Sequence, residues 1–179
     1  MTRVEALSSS LVELDARTFD DAIPDLAAIL VDAVESGASV GFVLPFSHGE
    51  ASAWWRGLSE EVAAGHAVVF VVRVNGRAVG TAQLRLAQYP NQRHRADVAK
   101  VLVHRDARRH GIGRALMSAI EDAARRRGRT LLVLDTISGS DAATMYERLG
   151  WTRAGEIPTY AAMPDGTLAP TTYYFKELR

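Results

Sequence analysis

Hydrophobic and polar positions change period several times along this chain of 179 residues, and each change marks an element. Ser10 to Leu14 has the length and composition of a short strand. Leu26, Ile29, Leu30 and Ala33 then recur at helical spacing. Asp20 or Asp21 offers the cap for that helix, Pro24 suits its first turn, and Gly37 marks its stop. The run Gly41 to Phe46 is apolar but broken by Pro45. A second helix is predicted from about Gly49 to Ala64, carrying Trp54, Trp55, Leu58 and Val62. Neighbouring residues diverge around a helix, so the two tryptophans face differently and at least one belongs to the core.

From His66 to Val74 the pattern is that of a strand. Asn75-Gly76 is a two-residue hairpin signal, and Arg77 to Gln88 returns antiparallel. After the loop Tyr89 to Arg95, a further strand is predicted from Ala96 to His104. Ile112, Ala115, Leu116, Ala119, Ile120, Ala123 and Ala124 then mark a helix with one apolar face. Arg125, Arg126 and Arg127 favour its C-terminal dipole, and Gly128 ends it. The unbroken run Leu131 to Leu134 suits a strand buried on both faces, with Asp135 at its end. A short helix from about Ser140 to Leu149 and a strand from Trp151 to Ile157 follow. The turn-rich stretch Pro158 to Pro170 leads to a last strand, Thr171 to Leu178. The order β-α-α-β-β-β-α-β-α-β-β predicts an α/β sandwich around a mixed sheet, in one domain over residues 1–179.

Composition narrows the function classes. Apolar residues at 47% and charged residues at 23% are ordinary for a globular chain. Basic and acidic residues balance at 21 each, which gives no global field toward nucleic acid or an anionic membrane. No cysteine is present, which excludes a disulfide scaffold, a zinc ribbon and a thiol nucleophile. The five histidines show no metal-ligand spacing, so no metal is expected. Acidic residues interrupt the first twenty positions, so neither a signal peptide nor a membrane span is expected there, and a cytoplasmic location is. Locally the balance fails: residues 93–114 hold seven Lys/Arg against two Asp, a patch suited to a small polyanion.

The passage from strand through glycine loop to helix carries the chemistry. A helix start offers unpaired amides and the positive end of a dipole. Gly111 and Gly113 let an anion approach the backbone, and Arg108, Arg109 and Arg114 add charge. No Gly-Lys-Ser/Thr and no three-glycine dinucleotide fingerprint is present. Arg108-x-x-Gly111-x-Gly113 in this setting resembles the pyrophosphate-binding signature of the GNAT superfamily of N-acetyltransferases. Ala142-x-x-x-Tyr146-x-x-x-Gly150-Trp151 matches a second segment of that superfamily.

The resemblance implies the GNAT acyl-CoA N-acyltransferase fold, a mixed, mostly antiparallel sheet of about seven strands flanked by about four helices. It implies acetyl-CoA as cofactor, with the pyrophosphate held by Arg108, Arg109, His110, Gly111, Ile112, Gly113 and Arg114. The pantetheine arm would run along the backbone of Val101, Leu102 and Val103. The superfamily's usual asparagine is Gly139 here, which leaves Ser140 as the neighbour able to replace that contact. Tyr146 falls where the family has a tyrosine reaching the cofactor sulfur. A departing thiolate needs a proton, and a phenol can supply one; a helix-face aromatic in the core is the alternative. Asp135 either orients the acceptor ammonium and takes its proton, or caps a turn.

Within the superfamily, His94 to Lys100, Leu134-Asp135-Thr136, Gly155 to Pro158 and Pro164-Asp165-Gly166 are similar to the tabtoxin-resistance acetyltransferases. That similarity implies an amino-acid-like toxin or antibiotic as acceptor and Asp135 with Tyr146 as the catalytic pair. Candidate acceptor contacts are Phe42, Arg93, Arg95 and Lys100; the arginines either meet a substrate carboxylate or form a solvated loop. Lys100 either lines the cleft or snorkels from an edge. The partner expected is a small-molecule amine, with no nucleic acid and no membrane, and the superfamily is compatible with a homodimer. Acetyl-CoA sensing without transfer and a peptide amine acceptor are the rival readings.

Overall fold

The computed structural model describes residues 9–179. Strand β1 (Ser9–Leu14) leads into helix α1 (Ala16–Glu35), which Asp15 caps by accepting from the Thr18 amide at 2.8 Å. The helix thus begins upstream of the expected Asp20 or Asp21 cap, and Pro24 lies inside it. Phe19, Ala22 and Ile23 extend the buried stripe upstream, and that burial offsets the ~3 kcal/mol cost of an interior proline. The expected second helix is broken at Gly57 into α2 (His48–Arg56) and α3 (Ser59–Ala63), and Leu58 and Val62 stay buried across the break.

Strands β2 (Ala67–Val74), β3 (Arg77–Leu86) and β4 (Arg95–Val103) follow as an antiparallel meander. Helix α4 (Ile112–Arg126) crosses to β5 (Leu131–Ile137), which pairs parallel with β4; the other strand pairs of the described residues are antiparallel. After α5 (Asp141–Arg148), β6 (Thr152–Ala162) and β7 (Leu168–Glu177) form a long hairpin. The stretch expected as a loop is therefore mostly strand. As the sheet edge, β6 covers no core, so its outward positions lack the apolar alternation that would have marked it. Its register shifts between Ile157 and Ala161, where Pro158 interrupts the ladder.

The seven strands stand in the order β1-β2-β3-β4-β5-β7-β6. Helices α4 and α5 cover one face, where Phe70, Leu84, Leu116, Met117, Ile120 and Leu132 pack. Helices α1, α2 and α3 cover the other, with Leu26, Leu30, Val69 and Val71 around a fully buried Trp55. Trp54, its neighbour, is half-buried, meets Trp55 edge-on with ring centres 5.0 Å apart, and rests against Phe42. Among the described residues, no helix is long and apolar enough to cross a membrane.

Two departures from regular sheet shape the centre. Strands β4 and β5 pair at only three positions, Arg95 with Leu131, Ala96 with Leu132 and Asp97 with Val133, and then part. Beside the gap, β4 carries a bulge: Gln83 faces Ala99, whereas Thr81 already faces Leu102. The extra residue is accommodated at Lys100, whose φ of +50° is a left-handed conformation that lysine rarely adopts.

Candidate active site

A cleft of about 480 Å³ opens where β4 and β5 separate. Its walls are the bulged part of β4, the end of β5, the first turn of α5, the segment Gly37–Gly41 after α1, and the β6–β7 hairpin. Backbone groups of Val98 to Val103 that point toward β5 have no strand to pair with, so a ligand arm can take the place of the missing strand. Val101 and Leu102 line the cleft with their side chains anchored in the cores on either face. Val103 does not line it, and its carbonyl accepts from Arg108 Nε at 3.0 Å.

The glycine loop sits at the N-terminus of α4. Gly111, the N-cap residue, has φ +78°, which places the turn in the left-handed region where a side chain is strained. Among the described residues, none of the backbone N–H groups from Arg109 to Arg114 donates to a protein acceptor. Six unpaired amides at the positive end of a helix dipole form a cradle that fits a pyrophosphate. Arg109 and Arg114 are exposed beside it, and Ile112 packs into the core beneath. His110 Nδ1 lies 2.7 Å from the Arg108 carbonyl oxygen.

Arg108 differs from the other loop arginines. Besides bonding Val103, its Nη2 lies 3.4 Å from Asp32. Asp32 is the one buried carboxylate among the described residues. It accepts from the Arg105 amide at 2.9 Å and also holds the Arg105 guanidinium. Both arginines turn to Asp32 rather than to neighbouring Asp106, which lies near His104 Nδ1 at 3.6 Å. Helix α1 thereby fixes the turn that leads into the cradle.

Tyr146 reaches the cleft from α5 and is 5% exposed. Its ring packs against Trp151 and Tyr174, and its hydroxyl makes no hydrogen bond to another described residue. Burial first, and the Asp135 carboxylate second, push the phenol well above its ordinary pKa of 10.0. It therefore stays protonated, the state an acid requires. Asp135 is exposed within β5, which continues through it to Ile137, and Thr171 Oγ1 donates to it at 3.2 Å. It sits inside a strand because β7 pairs with it there, Asp135 facing Tyr173. Ser140 caps α5 by accepting from the Ala143 amide at 3.1 Å, and its residue also lines the cleft.

The acceptor-side residues separate. Lys100 lines the cleft, with Nζ 4.8 Å from the Trp54 ring centre and 5.9 Å from that of Phe42. Phe42 stacks on Phe46 and forms the floor under that ammonium rather than the wall. Arg95 pairs with Asp97 and Gln92, and Arg93 is exposed outside the cleft, so neither arginine joins the site. Tyr160 lines the cleft from β6, and its hydroxyl is 2.7 Å from that of Tyr173. That bond, ahead of burial and nearby carboxylates, pushes Tyr173 up to about 12. Tyr160, Tyr173 and Asp32 escape sequence reasoning. Only Asp32 had a signal, a charge inside the apolar run Leu30 to Val34. Among the described residues, no cluster of three His, Cys, Asp or Glu side chains is placed to hold a metal ion.

The same architecture recurs in known proteins. Residues 13–151 match the model of the acetyltransferase (GNAT) family. The chain is 34% identical over 113 residues to an uncharacterised N-acetyltransferase of Azospirillum brasilense, covering 62% of this chain and 66% of that one. It is 34% identical over 104 residues to an aminoglycoside N(6')-acetyltransferase type 1 of Klebsiella aerogenes, covering 56% of this chain and 68% of that one. The fold also superposes on yncA from Salmonella typhimurium, solved with its cofactor acetyl-CoA, at a TM-score of 0.74 and 22% identity over 96% of this chain and 94% of that one. The parted strands, the amide cradle and the family match have one explanation: the chain belongs to the GNAT family and is an acetyl-CoA-dependent N-acetyltransferase.

Proposed function

We propose that this enzyme acetylates a primary amine of a small molecule, an amino-acid-like toxin or antibiotic, by direct attack within a ternary complex. The observation that carries the reading is the pair Asp135 and Tyr146, an open carboxylate and a protonated phenol, on the one cleft that the parted strands create. Bound acetyl-CoA supplies an activated acyl carbon and a thiolate leaving group. The amides from Arg109 to Arg114 hold its pyrophosphate, and the open edge of β4 near Val101 and Leu102 orients the arm and polarises the carbonyl. Asp135 accepts the ammonium proton, directly or through water, which frees the amine lone pair. Tyr146 donates its proton to the sulfur as the carbon–sulfur bond breaks. Since the chain has no cysteine, no acetyl–cysteine intermediate forms, and the amine attacks directly.

The similarity of His94–Lys100 and Leu134–Thr136 to the tabtoxin-resistance acetyltransferases supports an amino-acid-like acceptor. The Klebsiella relative is named for aminoglycosides, which keeps an antibiotic amine in the panel. Free-thiol release is measured against amino-acid-like β-lactams, amino acids, polyamines and aminoglycosides. Turnover of a small amine, lost in Tyr146→Phe and Asp135→Asn, is the expected result. Tight acetyl-CoA binding with no turnover of any small amine would reject the proposal in favour of a peptide acceptor or a sensor.

A further inference from the structure

Among the described residues, two charged side chains line the cleft, Lys100 and Asp135. Among the described residues, neither forms a salt bridge. The charges around them are already matched. Arg85 is held by both oxygens of Glu61, at 2.9 and 2.8 Å, and Arg95 is held by Asp97. Among the described residues, the cleft therefore presents one unpaired cation and one unpaired anion, on opposite strands of the gap.

The position of Lys100 is built at some cost. The bulge in β4 puts it in a left-handed conformation, and the aromatic faces of Trp54 and Phe42 lie beneath its ammonium. Rings attract a cation without neutralising it, so the site holds the charge in place and leaves its donors available. Gly41 borders the same spot: a Cβ there would lie 3.9 Å from Nζ, in ordinary contact. A lysine whose only task was to pack its stem would turn its head to water. Burial, and the Arg85 charge after it, lower its pKa against the smaller opposing pull of Asp135 across the gap, so an anion placed beside it gains more than it would in water.

We infer that Lys100 is a specificity-determining residue that binds a carboxylate of the acceptor while Asp135 receives its amine. This rests on the acetyl-transfer reading above and narrows it to acceptors bearing one cationic amine and one nearby carboxylate. A polycation such as an aminoglycoside meets a like charge at Lys100 and is disfavoured.

The test compares each common α-amino acid with its own α-carboxamide, and with kanamycin as the polycation, in wild type and Lys100→Met. Methionine keeps most of the apolar stem over Trp54 and removes the ammonium with its donors. Wild type is expected to prefer the acid over its amide by about 10–100-fold in kcat/KM, mostly in KM, as a charged hydrogen bond contributes. In Lys100→Met that preference falls to within about threefold while KM for acetyl-CoA is unchanged. A preference that survives in Lys100→Met, or wild type favouring kanamycin or the amides, would overturn the assignment. Calorimetric binding of the same acids and amides to the CoA-loaded protein is run in parallel. If no amine is turned over, the acetyl-transfer reading fails. Acid-selective binding lost in Lys100→Met would still support the Lys100 assignment, and its absence would reject it.

Discussion

Replacing Tyr146 by phenylalanine removes one oxygen from a side chain that is otherwise enclosed. The ring is 5% exposed, with its centre 6.0 Å from Trp151 and 6.2 Å from Tyr174, and phenylalanine preserves those contacts. Among the described residues the lost hydroxyl has no partner to strand, so the stability change stays within about 1 kcal/mol. For a chain of this size that is a melting shift of about 2–4 °C at most. The effect on rate is expected to be far larger. General-acid assistance contributes roughly 10²–10⁴-fold, which is about 2.7–5.4 kcal/mol of barrier. The amides that hold the pyrophosphate lie on α4 and are untouched, so KM for acetyl-CoA stays within about twofold. Initial rates of thiol release at saturating acceptor, with a melting curve on the same sample, separate the two effects. A kcat within about threefold of wild type would refute the acid role. So would a kcat loss that only tracks unfolding.

Three further outcomes follow from the geometry. Gly80→Ala would set a Cβ 2.7 Å from Ile112 Cγ2 and 3.4 Å from Leu116 Cδ1, overpacking the first turn of α4 by about 1–3 kcal/mol; a lower melting temperature and a raised KM for acetyl-CoA are expected together. Asp32→Asn weakens the hold on Arg105 and Arg108, which are themselves half exposed, so about 1–3 kcal/mol of stability is lost and KM for acetyl-CoA rises several-fold with a smaller change in kcat; steady-state kinetics in both substrates test the split. Tyr146 and Tyr173 have pKa values raised above 10.0 in the folded chain. The unfolded chain releases those protons first, so stability is intact below about pH 10 and falls above it. Denaturation midpoints measured across that range should fall less steeply in Tyr146→Phe and Tyr173→Phe; equal slopes would contradict the burial of Tyr146 and the Tyr160–Tyr173 hydrogen bond as the causes.

Local signals in the chain determined most elements and the cofactor half of the site. Asn75-Gly76 fixes a hairpin by its own backbone preferences, the apolar face of α4 by its spacing, and the cradle by two glycines at a helix start. These features depend on neighbours a few residues away, and so they are legible. The misread elements depended on distant partners. Helix α1 runs through Pro24 because Phe19 and Ile23 find a core to enter, and β6 exists because β7 accepts it as an edge. The acceptor half shows the same division. Arg93, Arg95 and Lys100 were equal candidates as letters. Asp97 and Gln92 take Arg95, the loop surface takes Arg93, and a bulge in β4 turns Lys100 over Trp54 into the cleft. Sequence alone determined which residues carry charge and which stretches bend. Tertiary structure alone decided which charges remain unpaired, because that depends on what every other element brings within a few ångströms.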